Sequence, residues 1–101
     1  MEEDLKNRPL DYIGLQFKAL SCETRRNILN AILEEPKNVS SISKSLTLVK
    51  CDLKKHLKVL VDCNLVVPLY RGNIPFYKTN CDVLTNLSEI IIKLKEKNEY
   101  E

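Results

Sequence analysis

Residues 50–60, KCDLKKHLKVL, hold four lysines, one of the chain's four cysteines and its only histidine. Two chemistries compete for such a segment. A thiolate and an imidazole ligate metals or act as nucleophiles, whereas ammonium groups neutralise phosphates. Helical spacing separates the two. With Lys50 at zero and about 100° per residue, Lys54, Lys58 and Lys55 fall near 40°, 80° and 140°. Leu60, Leu53 and Leu57 fall near 280°, 300° and 340°, an opposed sector of about 60°. Cys51 and His56 stand about 140° apart, so one helix does not bring them to one ion. The segment therefore reads as an amphipathic helix with a cationic face.

The remaining candidates for covalent or metal chemistry are sparse. Cys22, Cys51, Cys63 and Cys81 are spaced by 29, 12 and 18 residues. No C-x-x-C pair exists, which excludes a zinc finger or ribbon. The thiols read as free. Cys51 is the one redox candidate, because it lies among lysines in the first turn of its helix, where thiolate is favoured. There is no second histidine, no H-E-x-x-H motif and no glycine-rich phosphate loop in a chain with two glycines. The expectation is no catalytic residue, no metal, no cofactor and no evident small-molecule ligand.

The chain that must position the lysine face is short. Its 101 residues suit one domain, 1–101. A content of 44% hydrophobic and 30% charged residues is that of an ordinary soluble protein. No apolar run approaches the roughly 18 residues of a membrane span. The opening MEEDLKNRPL is acidic and polar, unlike a signal peptide, so a cytoplasmic protein without membrane contact is expected. Charge is unevenly placed: residues 1–14 carry a net −2 and residues 50–71 a net +3. A basic middle points to an anionic partner.

Periodicity supplies the elements. Leu10, Ile13, Phe17 and Leu20 form one helical stripe behind Pro9. Ser21 is placed to cap a second helix carrying Ile28, Leu29, Ile32 and Leu33, with Pro36 as its stop. NVSSISKSL predicts a short third helix capped near Ser40, with Ile42 and Leu46 inward, followed by a tight turn at TLV. The fourth helix spans Lys50 to Asp62, and Asn64 tolerates the left-handed conformation that ends helices. LVVPLY and IPFYKT around RGN read as a hairpin, with Pro68 and Pro75 confining the strands to edges or ends. From Asp82 a long helix repeats Leu84, Leu87, Ile91 and Leu94. The fold class expected is mainly α with a small β-hairpin (α+β): a winged helix-turn-helix with a long C-terminal dimerisation helix. Its expected parts are dimerisation helices at 9–20 and 82–97, the helix-turn-helix at 38–63 and the wing at 65–79.

Three phrases carry a resemblance across Leu15 to Thr79. ALSCETRRNIL is similar to the opening phrase of the ArsR family of winged-helix regulators. KKHLKVLVDCNLV resembles that family's recognition helix, and YRGNIPFYKT its wing. The resemblance implies a DNA-binding transcriptional regulator. It also marks departures. The family's metal-box thiols would fall at Asn38 and Ser40, and neither is a cysteine. The final helix lacks the histidines of the family's second metal site. Thr47 or Leu48, and Asn64, stand where the family usually has glycine.

In that frame the lysine face becomes a DNA surface. Lys50 and Lys54 are candidates for base or phosphate contacts, and Lys55 and Lys58 for backbone contacts. Arg71 and Asn73 would reach the neighbouring minor groove or its phosphates, and Ser40 and Thr47 would donate to phosphate. His56 is either a phosphate donor or a packing residue. Asp52 should point away or pair with a lysine. Leu10, Ile13, Phe17, Leu84, Leu87, Ile91 and Leu94 are assigned to a homodimer interface, since the last stripe is too wide for one small wing to cover. The function expected is a sequence-specific, dimeric repressor of double-stranded DNA without the family's metal site. The alternative is a winged helix that serves as a protein–protein interaction module.

Overall fold

A computed structural model describes the backbone of residues 9–99 and the side chains of residues 12–96. Among them the element order is α1 (Pro9–Leu20), α2 (Glu23–Ala31), α3 (Val39–Leu46), α4 (Lys50–Asp62), β1 (Val66–Arg71), β2 (Ile74–Thr79) and α5 (Cys81–Glu99). Five helices and an antiparallel hairpin make the α+β winged helix-turn-helix that the periodicity predicts. None of the described helices is long and apolar enough to cross a membrane. The acidic residues 2–4 lie outside the described part, as does the side chain of Leu10.

Helix ends depart from expectation in instructive ways. Ser21 does not cap α2; its hydroxyl donates back to the Lys18 carbonyl at 2.6 Å, and Cys22 occupies the N-cap. The last carbonyls of α1 are taken by arginines from α2. Arg25 Nε donates to Ala19 O at 2.9 Å, and Arg26 Nη1 to Leu20 O at 2.7 Å. The Thr-Arg-Arg phrase thus serves first as a C-terminal cap for its neighbour, satisfying carbonyls that a helix leaves open. α2 stops at Ala31, ahead of Pro36, and Lys37 Nζ donates to Ala31 O at 2.8 Å. The cap of α3 is Asn38, whose side chain accepts from Ser41 N at 2.9 Å; Ser40 lies inside the first turn. Asn80 Oδ1 accepts from Val83 N at the start of α5, one residue earlier than the sequence implied.

The turns rest on left-handed residues. Thr47 ends α3 at φ 55° and ψ 48°, and Asn64 follows α4 at φ 69°. In the wing, Arg71 pairs with Ile74, leaving Gly72 and Asn73 as a two-residue loop. Only Gly72 has positive φ, at 63°, as a type II′ hairpin turn requires. Beside β2, Lys37 and Tyr77 exchange backbone hydrogen bonds of 3.1 and 2.8 Å, adding a one-residue bridge that periodicity does not show.

The core joins Ile28, Ile32, Ile42, Leu53, Leu60 and Leu65, all fully buried. Two buried polar groups are satisfied by backbone, as such groups need to be. Gln16 Nε2 donates to Cys63 O at 2.9 Å, and Thr79 Oγ1 to Leu29 O at 2.7 Å. α5 enters this core through Leu87, which is 2% exposed, with Val83, Leu84 and Ile90 packed beside it. That corrects the assignment of Leu87 to a dimer interface. Its position in the stripe is right, but the first half of α5 lies on its own protomer. Ile91 and Leu94, farther along, are 53% and 59% exposed. Ile13 and Phe17 are half-buried against the core.

Candidate nucleic-acid interface

α3, the Thr47 turn and α4 set two short helices against each other, with Ile42 and Leu53 buried where they meet. Ser43 contributes a local lock: its carbonyl accepts from Leu48 N at 3.0 Å, and its hydroxyl donates to Leu48 O. The buried leucines Leu53, Leu57 and Leu60 fix the rotation of α4. Lys50, Lys54, Lys55 and Lys58 are consequently all exposed, on the face turned from the core. Ser40 and Thr47 are exposed nearby in the chain. Arg71 and Asn73 are exposed at the tip of the hairpin. The Arg71 guanidinium lies 4.3 Å from the centre of the Phe76 ring, a cation–π contact that holds the tip's charge in one place.

The lysines are not equivalent. Lys58 Nζ pairs with Asp62 Oδ2 at 3.0 Å, one turn along, and both side chains are largely exposed. It is the ion pair found among the described residues, so Asp52, expected to pair with a lysine or turn away, is exposed without such a pair there. Cys51 is exposed, and its thiol points toward Asp52 Oδ1 at 3.9 Å.

His56 is set apart from the lysines. It is half-buried, with Nδ1 3.4 Å from Arg25 Nη1. Guanidinium only donates, so in this contact Nδ1 stands as the acceptor. Arg25, absent from the sequence assignment, therefore ties α2 to both the end of α1 and the middle of α4. Its only sequence signal was membership of the Thr-Arg-Arg phrase.

The thiol made more acidic than usual is Cys22. Its sulfur faces the backbone amide of Arg25 and then that of Thr24, outside hydrogen-bond geometry, and the charges of Arg25 and Arg26 add to the effect. Together they hold the thiol below the ordinary range, against partial burial. Burial pushes Cys63 up. Tyr77 is also pushed up, by burial and then by neighbouring Tyr70, so its phenol stays protonated at neutral pH. Among the described residues no three His, Cys, Asp or Glu side chains converge as a metal site. A cationic helix face beside a cationic hairpin tip suits a polyanion, and a helix fits the B-DNA major groove.

Comparison with known proteins adds an independent line. Residues 22–67 match the family model described as bacterial regulatory protein, arsR family. The fold resembles an ArsR-like transcriptional regulator from Rhodococcus, with TM-score 0.83 and 24% identity, over 91% of this chain and 87% of that one. It also resembles a homodimeric winged helix-turn-helix DNA-binding domain from Mycobacterium bovis, with TM-score 0.71 and 22% identity, over 91% and 86%. HlyU from Vibrio cholerae aligns at TM-score 0.68 and 25% identity, over 87% and 96%. No curated protein matches the chain.

Proposed function

We propose that this chain, whose residues 22–67 match the arsR-family model, is a non-enzymatic DNA-binding regulator that acts as a sequence-specific homodimeric repressor without a metal site. The observation that carries the reading is the placement of four exposed lysines on the free face of α4, directly after the Thr47 turn. In this reading α4 lies in the major groove with Lys50 and Lys54 toward base edges, while Lys55 and Lys58 hold phosphates. Ser40 and Thr47 donate to phosphate, and Arg71 and Asn73 reach the adjacent minor groove from the wing.

The homodimer reading rests on Ile91 and Leu94, exposed on the distal half of α5, and on the α1 stripe of Ile13 and Phe17. The Mycobacterium bovis neighbour is homodimeric. Two protomers would place their α4 helices in successive major grooves, about 34–36 Å apart. Bound in front of a promoter, such a dimer represses by occupying the site. The metal-free reading rests on Asn38 and Ser40, which stand at the family's thiol positions and which carry a helix cap and a hydroxyl instead.

The test is selection of bound sites from random duplex DNA at defined salt. A near-palindromic consensus with half-sites one helical turn apart is the expected result. Recovery of unselected sequence at every salt concentration would remove the regulator reading and favour a protein-interaction module.

A further inference from the structure

We propose that the cavity between α1 and α4 binds a small amphipathic anion, a carboxylate or sulfonate on an apolar body, and that binding draws Arg25 away from His56. This goes beyond the DNA-binding reading and does not depend on it.

The cavity has a volume of about 470 Å³, within the range of roughly 300–1,000 Å³ typical of small-molecule sites. Leu15 and Ala19 of α1 form one wall, and Val59 of α4 and the Cys63 side chain form the other. Leu15 is 54% and Val59 40% exposed, so both present apolar surface to solvent. Lys18 and Arg25 are the cations on its lining. The one lining carboxylate, Asp62, is drawn to Lys58 at 3.0 Å. An apolar pocket with two cations and a partnered carboxylate selects a ligand with one negative end and a hydrocarbon or aromatic body.

The position gives such a ligand a consequence. Arg25 holds Ala19 O through Nε and faces His56 Nδ1 through Nη1. An anion in the cavity offers the guanidinium a charged acceptor in place of a ring nitrogen, and charged acceptors bind more strongly. Val59 and Cys63 follow His56 by three and seven residues, so the imidazole and the cavity wall share one face of α4. The α1 side of the cavity is also separate from the proposed dimer face, because Leu15 is turned about 160° from Phe17.

His56 is the only histidine in the chain, so its ring C–H signals form a single unambiguous reporter. The experiment follows those signals by NMR while decanoate, below its micelle threshold, is added to the wild-type protein without DNA. A saturable shift is expected, with decanol at least about tenfold weaker because it cannot satisfy the two cations. Lys18→Glu, at an exposed position, should weaken decanoate at least about tenfold. Val59→Phe, which fills the cavity, should abolish the shift while the protein stays folded. An unmoved His56 in wild type overturns the proposal. Equal midpoints for decanoate and decanol overturn it by removing the anion requirement. An unchanged midpoint in both variants overturns it by placing the ligand elsewhere, such as the exposed Ile91–Leu94 surface.

Discussion

Replacing Lys54 and Lys55 together by alanine tests the phosphate-binding role of α4 quantitatively. Both side chains are exposed on the face turned from the core, so their loss leaves packing intact. Each phosphate contact contributes about 0.9 to the slope of log K against log salt. Two contacts per protomer are four per dimer, and the slope should flatten by about 3.6. At 0.15 M salt one such contact strengthens binding by a factor of about 5.5 relative to 1 M, so four together amount to about a thousandfold. If Lys54 instead reads a base, the slope changes by half as much, and preference at one position relaxes by about 1–3 kcal/mol. Lys58 supplies an internal contrast. Its ammonium is already paired with Asp62 at 3.0 Å, so part of its charge must be released before it meets a phosphate. Lys58→Ala should therefore cost less than Lys55→Ala, and Asp62→Asn should tighten binding. The assay is fluorescence anisotropy of a labelled selected duplex over a series of salt concentrations. Unchanged slope and affinity in a folded Lys54→Ala/Lys55→Ala variant would refute the reasoning.

Leu94→Asp, at a 59% exposed position, should yield folded monomers in sedimentation, whereas Leu87→Ala should lower stability by about 2–5 kcal/mol in denaturant titration. Thr47 holds a left-handed conformation that costs a branched residue about 1–2 kcal/mol. Thr47→Gly should stabilise the fold by about 1 kcal/mol after the added backbone entropy of glycine, seen as a higher Tm. Cys22 has its pKa lowered and Cys63 raised, so Cys22 becomes thiolate at lower pH. Its iodoacetamide rate, followed by peptide mass spectrometry, should rise at lower pH than that of Cys63, and the reverse order would contradict the amide placement around Cys22. Zinc, cadmium and arsenite should leave DNA affinity unchanged in the same anisotropy assay, since Asn38 and Ser40 supply no thiolate.

What was legible in the sequence followed from repeated signals. α4 was readable because four lysines and three leucines divide its circumference, and Lys50–Asp62 forms as the spacing requires. The hairpin was readable from β-branched and aromatic runs around Gly72. Helix caps were less legible because several serines and an asparagine compete, and only tertiary placement selects Asn38 over Ser40. The same limit hid the split of α5. Leu87 and Leu94 lie on nearly one line of the helix, yet one is buried and the other exposed because the core ends between them. The Lys37 bridge involves one residue and has no period to detect. The tie from Arg25 to His56 spans 31 positions in the chain. Neither residue type announces it, since each has many ordinary surface roles.

The most direct test of the DNA-binding surface is an amide chemical-shift map of the labelled protein titrated with a selected duplex. The changes should concentrate from Thr47 to Lys58 and from Tyr70 to Ile74, with smaller effects around Ser40. A map centred on α1 or distal α5, or one without change at concentrations that saturate a phosphate-rich duplex, would contradict the assignment of α4 and the wing to DNA.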